Sequence, residues 1–161
     1  MPSTAAKRKD FVKNYQCTLE IAAPAAKVYE AITTAKGLQG WWTTTCESGT
    51  GVGSRTTFRF GPTYNVMLTE KLTPHREVVW RCLEQHHEAD ELSRKDEWAG
   101  TRVKFALESR SPGSTVLHFE HEGLTPELEC YRICEDGWGH FLKTSLKKLV
   151  ETDKGEPFSA A

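Results

Sequence analysis

Two cysteines stand four residues apart at Cys130 and Cys134, one turn of a helix, and raise the question of soft-metal or redox chemistry. A pair alone leaves a metal under-coordinated, and a disulfide across one helical turn is strained. The spacing therefore reads first as thiols packed as small hydrophobes, with Cys134 on the apolar face and Cys130 on its flank. Glu135 near that face and Ser145 inside it are polar groups that must find a partner or meet water. Each is a candidate to orient a ligand, and a solvated place at a groove mouth is the alternative for Glu135. His121 shares a strand face with Leu117 and Phe119; it suits either a general acid or base or a hydrogen-bonded core position. His86-His87-Glu88-x-Asp90-Glu91 has the residue types of a metal site. Adjacent histidines on a loop seldom converge on one centre, and the following SRKDE reads as a solvated lid. No metal and no cofactor are expected, and no Ser-His-Asp or Cys-His arrangement stands out.

Residues 49–55, GTGVGSR, look like a phosphate cradle. A dinucleotide loop needs a helix after it, so that the helix N-terminus meets the pyrophosphate. Here RTTFRF follows, alternating with period two, and no Lys-Ser or Lys-Thr completes a Walker loop. The glycines instead read as positive-φ positions in a turn between two strands.

The elements that must position these groups follow from periodicity. Residues 14–22 alternate with Tyr15, Cys17, Leu19 and Ile21 on one face, and Pro24 opens a helix carrying Val28, Tyr29 and Ile32. Leu38, Trp41 and Trp42 form an apolar plug after it. Strands are expected at 55–60, 63–72, 77–84, 100–109 and 115–122, an antiparallel meander with one apolar face. A closing helix is expected from Thr125-Pro126-Glu127, amphipathic through Leu149 and bent near Asp136-Gly137 and Gly139. Phe58, Phe60, Tyr64, Trp80, Phe105, Phe119, Tyr131, Trp138 and Phe141 all read as aimed at one interior. They suit a flat hydrophobic ligand, or simple core filling.

Composition bounds the rest. The 161 residues are 38% hydrophobic and 27% charged, with a net charge of −1. These values fit one globular domain and supply no field for nucleic acid or an anionic membrane. No segment has the roughly 18 apolar residues of a membrane span. The basic N-terminus with its KRK triplet reads as a tail. Five scattered cysteines without a signal peptide imply reduced thiols and a cytoplasmic location.

The pattern Ile21-x-Ala23-Pro24, Val28-Tyr29-x-Ala31-Ile32-Thr33, Trp41-Trp42, Val79-Trp80 and Gly137-Trp138 resembles the START-like, helix-grip superfamily. Within it the chain is similar to the branch of the activator of heat-shock protein 90 ATPase, which also holds polyketide-cyclase-like and enediyne-resistance proteins. Asp90-Glu91-Leu92-Ser93, Glu97-Trp98-x-Gly100-Thr101 and Glu129-Cys130-Tyr131-x-x-Cys134 resemble a bacterial subgroup of single-domain proteins. The resemblance implies an α+β helix-grip fold, a curved antiparallel sheet of six or seven strands around a long C-terminal helix, with an apolar cavity beneath that helix. The expected division is a tail at 1–11, a domain at 12–153 and a flexible tail at 154–161. The chain is expected to lack the separate chaperone-binding domain of eukaryotic co-chaperones. The expected activity is binding of a small flat hydrophobic molecule by a monomer or weak dimer. Trp41, Cys134, Glu135, Ser145, His121 and the nine aromatics are the candidate ligand contacts. The alternatives are a cyclase- or aromatase-type enzyme using His121 or Glu135, and a module that contacts a chaperone. Fold alone does not choose among them.

Overall fold

Alternating apolar residues in six segments, with a short seventh strand, build one antiparallel sheet. The computed structural model describes residues 13–49 and 51–159; the tail expected at 1–11 lies outside the described residues. The strands are β1 (Tyr15–Ile21), β2 (Thr45–Ser48), β3 (Arg55–Phe60), β4 (Thr63–Thr73), β5 (Glu77–His86), β6 (Arg102–Ser111) and β7 (Ser114–Glu122). Across the sheet they run β1-β7-β6-β5-β4-β3-β2. From β2 to β7 each strand therefore pairs with its successor, and β1 returns to pair with β7. The short β2 is the strand that periodicity did not reveal.

The glycine-rich segment joins β2 to β3. Gly51 and Gly53 have φ of 85° and 88°, a region that other residues enter only with strain. Gly53 N–H donates to the Thr69 carbonyl at 2.8 Å, tying the turn to β4. It is a hairpin, as the period of RTTFRF requires.

Two helices, α1 (Ala25–Thr33) and α2 (Ala35–Trp41), fill the link between β1 and β2. They bury Val28, Ile32, Leu38 and Trp41. The C-terminal helix runs from Tyr131 to Thr152 without a break, but its winding changes. α3 (Tyr131–Trp138) gives way at Gly139 to a π-helical stretch, Gly139–Leu146, followed by α4 (Lys147–Thr152). The glycines expected to bend this helix mark its change of pitch instead; such wide turns recur at functional sites. Its inner face, including Trp138, Leu142 and Leu146, packs with Phe58, Phe105, Leu117 and Phe119 of the sheet in one buried core.

Two sequence expectations are corrected. The closing helix starts at Tyr131, not at Thr125, because residues 125–130 form turns with Leu128 N–H bonded to the Thr125 carbonyl. The N–H groups of Glu129 and Cys130 are taken by the Glu97 carboxylate, at 3.2 and 2.9 Å. The helix is thus capped from the β5–β6 loop. Residues 154–159 are not a loose tail. Phe158 forms a parallel bridge with Thr43, accepting from Thr44 N–H and donating to the Trp42 carbonyl. A Cβ on Gly155 would overlap the Gly40 carbonyl oxygen, so the chain passes only because no side chain is present. Among the described residues no helix is long and apolar enough to cross a membrane. All five cysteines are buried and unpaired as disulfides.

Candidate functional site

Between the open end of the sheet and the C-terminal helix lies a cavity of about 240 Å³. Its walls are aromatic: Trp42, Phe60, Trp98, Trp138, Phe141 and Phe158. Three indoles form a column. Trp98 and Trp138 are parallel within 4° with centroids 5.7 Å apart, and Trp42 stacks on Trp138 at 5.1 Å. Phe60 bridges Phe141 and Phe158 at 6.0 and 5.7 Å.

Few polar groups interrupt these walls. Thr63, Asn65, Gln85, His87 and Cys134 reach the cavity. Gln85 Oε1 accepts from Trp98 N–H at 2.8 Å, and Thr63 Oγ1 accepts from Glu88 N–H at 2.9 Å. Asn65 Oδ1 and His87 Nδ1 are buried with no hydrogen-bond partner among the described residues. A buried amide oxygen without a donor costs free energy, and a ligand donor removes that cost.

The β5–β6 loop forms the lid. Its Trp98 is buried and its indole N–H points at Cys134 Sγ, 3.2 Å away. Glu97 caps the helix, while Glu129 at the helix start accepts in return from the N–H groups of Ser93 and Arg94, at 2.9 and 3.0 Å. Those two N–H groups hold the Glu129 carboxyl below the usual carboxylate range. The segment read as a solvated lid is thus clasped to the helix by two carboxylates. Behind the lid, the Cys134 thiol and burial push the Cys130 thiol well above its ordinary value, against the pull of the His87 ring.

Of the residues expected to meet a ligand, Phe60, Cys134, Trp138 and Phe141 line this cavity. Trp41, Phe58, Trp80, Phe105 and Phe119 are buried in the core behind it. Ser145 is a structural pivot: its Oγ donates to the Trp41 carbonyl at 2.6 Å and accepts from Glu156 N–H at 2.8 Å. His121 is also occupied. Trp138 Nε1, which can only donate, reaches its Nδ1 at 3.1 Å, so the proton sits on Nε2, 2.8 Å from Thr101 Oγ1. Burial pushes this imidazole down to about 3, and it stays neutral. Glu135 is exposed, and Tyr131 is half-buried against the edge of the core; neither lines this cavity. Tyr64 points away from the interior, because Asn65 and Met67 occupy the inward positions of β4. Its hydroxyl donates to Glu84 at 2.7 Å instead.

Sequence reasoning did not put Trp42, Trp98, Phe158, Asn65, Gln85 or His87 among the ligand contacts. Asn65 carried a signal, a polar residue in phase with buried Met67. Trp98 lies in an aperiodic loop and Phe158 near the C-terminus, where period says nothing.

A solution structure of the Aha1 dimer from Colwellia psychrerythraea is similar to this chain, with a TM-score of 0.72 and 31% identity over 88% of this chain and 98% of that one. DynU16, a putative protein in the dynemicin biosynthetic locus, shares the fold with a TM-score of 0.66 and 17% identity over 87% of this chain and 48% of its own. An HSP90 activator from Plasmodium falciparum does so at 0.61 and 19%, over 81% and 91%. A comparison with curated protein sequences gave no match. The model of the Activator of Hsp90 ATPase homolog 1-like proteins matches residues 22–151, and the chain belongs to that family.

Proposed function

We propose that this protein binds a small planar aromatic molecule bearing a hydrogen-bond donor, stacked against the indoles of Trp98 and Trp138. The observation that carries this reading is Asn65 Oδ1, buried without a partner in a largely aromatic cavity. Aromatic walls with one or two placed polar groups are the usual design of a small-molecule site. A volume of about 240 Å³ lies just below the usual range of about 300–1,000 Å³ and fits roughly two fused rings, not a sterol. An acid–base enzyme draws less support: both ring nitrogens of His121 are engaged and Glu135 is exposed outside the cavity.

A second reading rests on the family itself and on the 31% identity to the Colwellia Aha1. In it the domain contacts a chaperone and stimulates its ATPase. A protein NMR screen with one- to four-ring aromatics, run beside an Hsp90 ATPase assay, separates the two. Saturable shifts at Asn65, Trp98 and Trp138 with phenols of one or two rings support the ligand reading. ATPase stimulation with no small-molecule uptake supports the second.

A further inference from the structure

At the lid end of the cavity three side chains from distant parts of the chain converge. Cys130 is the residue at the N-terminal boundary of α3, Cys134 lies one turn on, and His87 follows β5. Their ligand atoms, two Sγ and one imidazole nitrogen, lie within 4.8 Å of one another. Among the described residues this is the one such group of three.

We propose that His87, Cys130 and Cys134 form a soft-metal site, for zinc(II) or copper(I), with an open coordination position facing the aromatic cavity. Four features of the site support this.

The first is the donor set. Two thiolates and one imidazole select zinc or cuprous ion over the hard oxygen-seeking cations. Three protein ligands with a fourth position free is the arrangement of sites that exchange a water or a ligand, not of closed structural sites.

The second is geometry. Metal–sulfur and metal–nitrogen bonds of about 2.3 and 2.0 Å put tetrahedral ligand atoms about 3.5–3.8 Å apart. Closing a trio already within 4.8 Å takes shifts of about 1 Å, within reach of side-chain rotation alone.

The third is the buried His87 Nδ1, which has no hydrogen-bond partner among the described residues. An imidazole nitrogen with no hydrogen bond of ordinary length is available as a ligand, and the ring lies beside the two thiols. The backbone holds the residue in place: His87 N–H donates to the Lys95 carbonyl at 2.7 Å.

The fourth is the surrounding hydrogen bonding. Trp98 Nε1–H donates to Cys134 Sγ at 3.2 Å, a contact that strengthens when the sulfur becomes a thiolate. Donors of this kind orient and tune metal ligands. Both His87 and Cys134 line the cavity, so the fourth position opens to whatever the cavity holds. An oxygen donor on an aromatic guest would meet the metal there. The site itself stands or falls separately from the guest.

Cobalt(II) is the probe, added to metal-free protein kept reduced by a non-thiol, non-chelating reductant. The expected result is saturation at one equivalent, with thiolate-to-cobalt charge transfer and the intense visible bands of tetrahedral cobalt, both bleached by zinc. A copper(I) chelator competition run in parallel shows which ion binds tighter. Cys134→Ser, Cys130→Ser and His87→Ala should each abolish the tetrahedral spectrum, while Cys17→Ser and Cys46→Ser keep it. Trp98→Phe should weaken binding about tenfold. If the ligand variants fold poorly, zinc-induced shifts of the Cys130 and Cys134 β-carbons and the His87 ring protons locate the ion in the unmodified chain. Absence of a one-equivalent cobalt spectrum overturns the proposal, as does a spectrum retained in all three ligand variants. A wild-type zinc response confined to other residues does the same.

Discussion

The indole N–H of Trp138 donates to Nδ1 of His121 at 3.1 Å, and that bond joins the C-terminal helix to the last strand of the sheet. The other face of the ring continues the chain of bonds, because Nε2–H donates to Thr101 Oγ1 and that hydroxyl donates to the Trp98 carbonyl at 2.6 Å. Helix, sheet and lid therefore meet at one neutral histidine. Of the two roles that His121 suits by type, its bonds are those of the hydrogen-bonded core position.

Acid should loosen this joint. His121 titrates at about 3 in the fold through burial and at about 6.5 when unfolded. Between those values the unfolded chain binds the extra proton, so this contribution is full above pH 6.5 and is lost as pH falls toward 3. The slope is at most about 1.4 kcal/mol per pH unit. Denaturant unfolding of wild type and His121→Gln across this window should give a steeper pH slope for wild type. Equal slopes would refute the assignment.

Asn65→Leu separates binding from folding. The substitution removes a buried oxygen that has no partner, so the midpoint of thermal unfolding should hold or rise. Affinity for a phenolic guest should fall about tenfold, or about 1.4 kcal/mol, while affinity for the parent hydrocarbon stays level. Calorimetric titration with both compounds reads the difference.

The C-terminal strap is fastened at Ser145, whose Oγ accepts from Glu156 N–H, and at the Phe158 bridge beyond it. Ser145→Ala leaves the Trp41 carbonyl and Glu156 N–H without their partner, at a cost of about 1–3 kcal/mol. Gly155→Ala drives a methyl against the carbonyl oxygens of Gly40 and Ser145 and should release the strap, at about 1–3 kcal/mol. Because both act on one contact, the double variant should lose less than the sum. Denaturant midpoints of the four proteins test this, and the Phe158 ring signals report the strap directly.

The lid clasp has its own acid dependence. Glu129 is held below its ordinary range by the N–H groups of Arg94 and Ser93. The clasp is therefore complete above about pH 4.3, the unfolded value, and opens as pH falls through the lower folded value. Glu129→Ala should speed hydrogen exchange at the Ser93 and Arg94 amides without altering that of the sheet. Unchanged exchange at those two amides would count against the clasp.

The sheet and its inner face were legible because period two is a local property. Phe58, Val78, Phe105 and Phe119 announce their side from neighbours two residues away. The cavity was only partly legible, because its walls come from segments without a period. Trp98 enters from an irregular loop and Phe158 from beyond the last helix. Tyr64 was misplaced by one residue, which in a strand reverses its face. The convergence of His87 with Cys130 and Cys134 spans more than 40 residues of chain, and only the fold brings them together. The closing helix was placed too early because its cap, Glu97, is supplied by another segment.

The most direct test of the ligand reading is an NMR titration with a naphthol, followed by intermolecular nuclear Overhauser contacts. Saturable shifts of the Asn65 side-chain amide are expected, with contacts from the guest's rings to Trp98, Trp138 and Phe141. If no one- or two-ring aromatic gives saturable shifts there, or if its contacts fall on the outer surface, the cavity is core packing and the binding reading is wrong.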